Sequence, residues 1–391
     1  MSHRLVTRLL LVGAAGASSL AAQSLPVRQA VVDTVVHGQI AHLSKLTLFD
    51  VGPDGAIALT PRPDQPVALY DGDSLVARFQ PTKPPGDEVP FRVAGLGWVG
   101  DSVWIRVGTV ATIYSRQGEP GRPIALELTV HGPPGGRTIA HEGNDLIKRA
   151  PLQAVYPNGG LLMREMAGWV LSSVPAAAGG ATLFLRVSDH GAFVRTVGLG
   201  YSGDAQCRMA FYPSGAVIRP FCPLPRAQAS PGGAMVASLL ATADTKTVHI
   251  VVVSERGDTA WQRDLALPTV PVLSRERDSA IADLGRKYAV SPMPGFADSA
   301  VSVLRHNPVT THAPVVRLLV GDDGSAWLDL YTRDHHHQWL VIHADGQVAG
   351  VVTVPATTTL VEVRGDAAWG LDTTGDVVNL LRYTVGPPIV P

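Results

Sequence analysis

Residues 317–354 read RLLVGDDGSAWLDLYTRDHHHQWLVIHADGQVAGVVTV. The stretch contains the same pattern twice, namely two β-rich runs separated by a turn that contains Asp-Gly. Tight hairpins need positive φ at the turn, and glycine, asparagine and aspartate adopt it at low cost. β-rich runs bounded in this way predict short antiparallel strands. The stretch therefore predicts two consecutive hairpins, which together supply four strands.

The first of these hairpins recurs six times along the chain, which indicates a repeat architecture. Its copies are LFDVGPDGAIAL, VAGLGWVGDSVWI, LQAVYPNGGLLM, MAFYPSGAVI, RLLVGDDGSAWLDL and VEVRGDAAWGL, with turn glycines Gly55, Gly100, Gly159, Gly215, Gly324 and Gly365. A second hairpin follows the first five copies: VALYDGDSLVARF, ATIYSRQGEPGRPIAL, LFLRVSDHGAFVRTV, VHIVVVSERGDTAWQRDLAL and WLVIHADGQVAGVVTV. One such unit buries only part of a core and needs a neighbour on each side. The sequence predicts an all-β fold, a β-propeller of six blades.

The last unit is one strand short, because the chain ends in GPPIVP soon after VVNLLRYTV. The segment VRQAVVDTVVHG, residues 27–38, alternates like a strand. We expect its residues from Val31 to Val36 to complete the last blade, so that N- and C-terminal strands close the ring and protect its edges. Residues 23–391 would then form a single propeller domain.

The blade pattern resembles six-bladed propellers of the NHL-repeat and TolB-like type, especially exported bacterial ones of unassigned function. The phrase VGDDGSAWLDLYTRDHHHQWLVIHADGQVAG, residues 320–350, carries the resemblance. It extends over the whole predicted domain, although insertions interrupt the third and fourth units and these carry few of the usual acidic positions. The resemblance implies a scaffold, and a scaffold does not fix a function.

One segment departs from the β pattern. In SRERDSAIADLGRKY, residues 274–288, the apolar side chains of Ile281, Leu284 and Tyr288 have helical spacing, and ADSAVSVLR predicts a second short helix. We expect a helical insertion over residues 268–313 between blades four and five, since so short a segment cannot bury a core of its own.

The N-terminal residues have the pattern of a secretory signal peptide. Arg4 and Arg8 precede an apolar run from Leu9 to Ala17, and small residues follow through Ala22. The run is too short for a permanent membrane span. We expect residues 1–22 to be removed from an exported protein, periplasmic or extracellular, that has no membrane span.

The two cysteines, Cys207 and Cys222, flank the turn at Ser214 and Gly215 almost symmetrically. Opposed positions on paired strands lie close together, and an exported chain meets an oxidising compartment. We predict a disulfide between them, with two buried free thiols as the alternative.

Charge and loop length indicate where a ligand binds. The formal net charge of −1 argues against a nucleic-acid partner, which needs a basic surplus on one face. The long insertions all fall in connections at one rim, where binding usually resides. Four basic side chains are predicted near the start of innermost strands, where they would surround the mouth of the central channel at this rim. Such a ring suggests a small anionic ligand or an acidic protein segment. The alternative is that these are ordinary side chains, exposed or paired with neighbouring acids. They are Lys45, Arg92, Arg208 and Arg317.

A histidine tract at the same rim suggests a metal. His335, His336 and His337 could bind zinc or copper, although no metal-binding spacing accompanies them and a polar loop tip is the alternative. Propellers that resemble gluconolactonases hold calcium with acidic side chains, for which the loops offer Glu142, Asp145 and Asp298. We therefore expect a non-catalytic recognition propeller without a required cofactor, and keep a metal-dependent hydrolase of lactonase type as the alternative.

Overall fold

The computed structural model describes residues 26–37, 42–83, 90–108, 110–125, 152–166, 181–188, 193–201, 207–211, 215–223, 226–241, 247–291, 294–333, 337–374 and 376–388. This part of the chain is almost entirely β-structure with two helices. The predicted signal peptide lies outside it.

Four antiparallel sheets, numbered 1 to 4 along the chain, have four strands each in sequential order. Sheets 1 and 2 contain β2 (Leu48–Val51), β3 (Ile57–Thr60), β4 (Val67–Asp71), β5 (Ser74–Phe79), β6 (Val93–Val99), β7 (Ser102–Val107), β8 (Val110–Tyr114) and β9 (Pro120–Ala125). Sheets 3 and 4 contain β10 (Leu152–Val155), β11 (Leu161–Met166), β12 (Ala181–Val187), β13 (Phe193–Tyr201), β16 (Arg226–Ala229), β17 (Met235–Ala241), β18 (Thr247–Ser254) and β19 (Thr259–Ala266).

Sheets 5 and 6 share the N-terminal strand, β1 (Val27–Val36). Sheet 5 contains β20 (Val315–Val320), β21 (Ala326–Leu330), β22 (His337–Ile342) and β23 (Val348–Val354), and sheet 6 contains β24 (Thr358–Arg364), β25 (Ala367–Asp372) and β26 (Asn379–Pro388). Strand β1 pairs antiparallel with β26, for example Val31 with Thr384, and begins parallel to β23. The prediction that this segment completes the last sheet is confirmed.

Apolar clusters lie between successive sheets and also between the last sheet and the first. The clusters join sheets 1 and 2, 2 and 3, 3 and 4, 4 and 5, and 5 and 6. In a further cluster, Ile57 and Leu59 of sheet 1 pack with Trp369 and Leu371 of sheet 6. Because every sheet has a packed neighbour on both faces, the fold is a β-propeller.

Indole groups join neighbouring sheets at the hairpin turns. Trp327 Nε1 in sheet 5 donates to the carbonyl of Gly365 in sheet 6 at 3.1 Å, and Trp261 Nε1 in sheet 4 donates to Gly324 at 2.9 Å. Gly324 has φ +86°, a conformation that its turn requires and that other residues rarely adopt. At these two turns, a glycine with positive φ therefore shapes the hairpin and also presents a carbonyl acceptor to the adjacent sheet.

The fourth unit differs from the prediction. The hairpin of β14 (Arg208–Phe211) and β15 (Gly215–Ile218) forms a separate two-stranded sheet, whereas β16 and β17 supply the first hairpin of sheet 4. The glycine with positive φ in the turn of that hairpin is Gly233, not Gly215. The sequence offers two candidate turns here, at Gly215 and at Gly233. The strands on either side of Gly233, RAQA and MVASLLA, are rich in residues with weak strand preference, which hid this hairpin.

The helical insertion forms as predicted. Helices α1 (Ser274–Tyr288) and α2 (Phe296–His306) pack together, and α2 also contacts the separate hairpin. Ile281, Leu304 and Val217 are buried in their shared cluster. Within the described residues, neither helix is long and apolar enough to cross a membrane.

The predicted disulfide is also confirmed. Cys207 and Cys222 are bonded, with their Cα atoms 5.6 Å apart. The pair packs against Val309, which follows α2, with Phe221 alongside. The disulfide therefore joins the two ends of the separate hairpin and packs against the segment that leads from the helices to sheet 5.

Candidate functional site

The sheets have two different ends. The turn rim carries the hairpin turns, and the loop rim carries the connections between hairpins and between sheets. The predicted cations occupy different surroundings at the loop rim: Lys45 and Arg92 are exposed before β2 and β6, and Arg317 is half-buried in β20. Arg208 lies in β14 of the separate hairpin, so its predicted place on an innermost strand is wrong.

Arg226 takes the place that was predicted for Arg208, since it begins β16, the first strand of sheet 4. Arg226 and Arg317 lie close enough for their charges to interact with each other and with Asp329, which pairs with Arg317 across β20 and β21. Both guanidiniums are half-buried and stay charged. The structure thus places two arginines from adjacent sheets within electrostatic reach of one carboxyl, although neither forms a direct ion pair with it among the described residues.

Asp329 is the centre of this arrangement. Its side chain is almost fully buried, and its Oδ2 lies 2.9 Å from His337 Nδ1. Burial raises the pKa of Asp329, and the neighbouring His337, Arg317 and Arg226 oppose the rise. Asp329 Oδ1 and Arg226 Nε are buried without a hydrogen-bond partner in the described part of the chain. Buried polar atoms of this kind need an explanation, and a polar ligand is one.

A cavity of about 280 Å³ opens beside this carboxyl. Its lining consists of Val316, Asp329, Leu330, Tyr331, Thr332, His337 and Ala356. The cavity therefore contains the Asp329–His337 pair, with the two arginines nearby.

Aromatic side chains in contact with one another extend from the cavity towards the helical insertion. Tyr331 stacks on His312 with ring centroids 3.9 Å apart, and Phe221 contacts His312 edge-on at 4.8 Å. Glu276 of α1 lies 3.1 Å from His312 Nε2 and accepts a hydrogen bond from Arg333. The insertion and the disulfide-bonded hairpin therefore sit directly beside the candidate site.

Only some of the residues predicted to bind a metal lie in the described part of the chain. Four of them lie outside the described residues: His335, His336, Glu142 and Asp145. Of the others, His337 contacts Asp329, and Asp298 is exposed in the first turn of α2. The described residues contain no group of three or more ligating side chains placed to hold a metal. A transition metal at the tract, and calcium in a lactonase-type site, stay predictions.

Comparison with known proteins gives no family. No protein-family model and no curated protein matches the sequence. Solved structures that resemble the fold include virginiamycin B lyase from Staphylococcus aureus, at 9% identity over 91% of this chain and 99% of that chain, with a TM-score of 0.39. BamB from Moraxella catarrhalis has 11% identity over 86% of this chain and 84% of that chain, with a TM-score of 0.31. Likenesses this weak carry no argument about function.

Sequence reasoning found Arg317 and His337 but missed Arg226 and Asp329. Arg226 was hidden by the wrong assignment of the fourth unit. Asp329 occupies an ordinary polar position in SAWLDLY, and only the packing of sheet 5 against its neighbours buries it. The signal that could have found Arg226 is the Ser-Pro-Gly-Gly turn at residues 230–233, which directly follows the strand that Arg226 begins.

Proposed function

We propose that the six sheets are the blades of one closed propeller in an exported protein that recognises a ligand on its loop rim. The continuous cycle of apolar clusters and the pairing of β1 with β26 support the closed ring. The disulfide supports export, because such bonds persist in oxidising compartments. The loop rim carries the insertions, and loops on a rigid scaffold are where binding usually resides.

The ligand carries an anionic group, and the observation behind this proposal is that the charges of Arg226 and Arg317 both act on Asp329. Two half-buried cations lie near one buried carboxyl without a direct ion pair to it among the described residues, and burial disfavours the charged form of that carboxyl. Buried charge is costly unless it is paired, so an incoming anion would compensate the remaining positive charge. Guanidinium groups also match the geometry of carboxylate and phosphate oxygens.

Titration calorimetry with citrate, inorganic phosphate and a hexaglutamate peptide tests this proposal on residues 23–391. The double variant R226Q/R317Q is expected to weaken binding of the preferred probe by at least about tenfold, since each charged hydrogen bond contributes roughly 1.5–3 kcal/mol. Preference for the peptide would indicate an acidic segment of a protein, and preference for citrate or phosphate would indicate a small molecule.

The double variant R275Q/R305Q is the matched control, because it removes the same charge at exposed positions of the helical insertion on the same rim. It is expected to retain binding. Equal losses in both double variants would indicate unspecific attraction. Binding of none of the probes, or binding unaffected by R226Q/R317Q, would contradict the proposal.

A further inference from the structure

Two buried carboxyls lie at the opposite, turn rim, where the first sheet meets the last. Asp50 belongs to β2 and Glu362 to β24, with residue exposures of 7% and 2%. Carboxylates are rarely buried to this extent unless they are paired with cations. Neither residue takes part in the candidate site described above.

Both carboxyls accept backbone hydrogen bonds from a different sheet. The Val51 amide of sheet 1 donates to Glu362 Oε2 at 2.9 Å, and the Trp98 amide of sheet 2 donates to Asp50 Oδ2 at 2.8 Å. Trp98 Nε1 also donates to the Asp50 carbonyl at 3.1 Å. These two side chains therefore join sheets 6, 1 and 2.

The charges around the pair are not balanced. Arg364 Nη2 lies 3.3 Å from Glu362 Oε1 and 3.9 Å from Asp322 Oδ2, and it also donates to the Val51 carbonyl. One guanidinium thus lies beside two carboxyls, and its charge also acts on a third, that of Asp50. Glu362 Oε1 is buried and makes no hydrogen bond of acceptable geometry within the described residues. A proton bound by the pair would relieve both the repulsion and the cost of burying two negative charges.

Burial favours the protonated form of both carboxyls because it raises their pKa values. Desolvation raises the pKa of Asp50 to about 7, against the Trp98 hydrogen bond and Arg364, which lower it. Desolvation and the Asp50 charge raise the pKa of Glu362 well above its ordinary value, against Arg364 and the Val51 amide. Asp322 adds to the rise in both.

We propose that Asp50 and Glu362 share a bound proton and form a pH-sensitive contact that holds the first and last sheets together at acidic to neutral pH. Loss of that proton leaves two negatively charged carboxylates buried in the interface between the first and last sheets, which we call the seam. The seam then loosens, and the ring opens locally between β24 and β2.

The direction of the pH dependence follows from linkage. Both carboxyls bind protons more tightly in the folded protein than in the unfolded chain, so their contribution to stability is complete below their ordinary pKa values, 3.8 and 4.5. It is lost as the pH rises through about 7, the pKa of Asp50, and through the raised pKa of Glu362. Over this window the opening equilibrium constant increases by up to about tenfold per pH unit for each proton released.

Amide hydrogen exchange between pH 5 and pH 9, corrected for the intrinsic exchange rate, tests the proposal without a ligand. The amides of Val51 and Trp98 are the direct reporters, because they donate to the two carboxyls. Their protection factors are expected to fall at least about tenfold across neutral pH in the wild type. In E362Q and D50N, which lack one titrating carboxyl, the fall should shrink.

The matched control is E255Q, since Glu255 pairs with Arg186 between sheets 3 and 4 and is half-exposed. It should keep the wild-type pH dependence at Val51 and Trp98. Constant protection of both amides in the wild type from pH 5 to pH 9 would overturn the proposal even if neither seam variant folds. Wild-type behaviour of E362Q and D50N would overturn it as well.

Discussion

Replacing Trp327 by alanine is expected to lower the free energy of unfolding by about 3–5 kcal/mol. The indole is fully buried between sheets 5 and 6, where it packs in a cluster with Trp339 and Leu360. Truncation would leave a cavity in that interface and remove the hydrogen bond to the Gly365 carbonyl. Urea unfolding monitored by circular dichroism measures the change through the transition midpoint.

Two phenylalanine variants separate packing from hydrogen bonding in the same cluster. W327F removes an indole N–H that bonds across the sheets, whereas the Trp339 N–H is buried without a partner in the described part of the chain. We expect W327F to cost about 1 kcal/mol more than W339F, the usual net value of a hydrogen bond. Equal costs would show that the indole bond does not stabilise the contact between the sheets.

Removal of the disulfide is expected to destabilise the separate hairpin by about 3 kcal/mol, the chain-entropy value for a loop of this length. The two cysteines are 15 residues apart, and both are buried. The double variant C207A/C222A avoids burying new polar groups. Exchange of the Arg219 amide, which donates to the Cys207 carbonyl, reports on this region.

The effect should be local, because the hairpin pairs with no strand of the six sheets. Reduction of the wild-type disulfide should reproduce the result of the double variant. Unchanged protection of the Arg219 amide in both would contradict the stabilising role of the bond. A matching loss at Val51 or Trp98 would contradict its local character.

The strands with strong turn chemistry were predictable, since Asp-Gly and Asn-Gly between β-rich runs specify hairpins locally. The pairing of β1 with the last sheet was also predictable from the missing strand of the last unit. The fourth unit was not, because MAFYPSGAVI satisfies the hairpin pattern better than the strands that enter sheet 4. That stretch does form a hairpin, but packing between sheets rather than local preference decides which hairpin enters sheet 4.

The buried charges could not be predicted for a different reason. In LFDV and TTLVEVR the acidic residues take polar positions of an alternating strand, which in a sheet with one wet face would be exposed. Both faces of each sheet are covered here by a neighbour, so alternation does not separate inside from outside. Asp50 and Glu362 become exceptional only through contacts that are distant in the sequence, and Asp329 through burial and the charge of the distant Arg226.

Closure of the ring within one chain is the central claim, and a designed cross-link between β1 and β26 tests it most directly. Val31 and Thr384 are paired across these strands, so V31C/T384C is expected to form a second disulfide within the monomer. The mismatched variant V31C/S74C, whose second cysteine lies on β5, should keep two free thiols. Non-reducing peptide mass mapping distinguishes the outcomes. An intramolecular bond only in V31C/T384C is the predicted result, and free thiols or disulfide-linked dimers in that variant would contradict closure by the chain's own N-terminal strand.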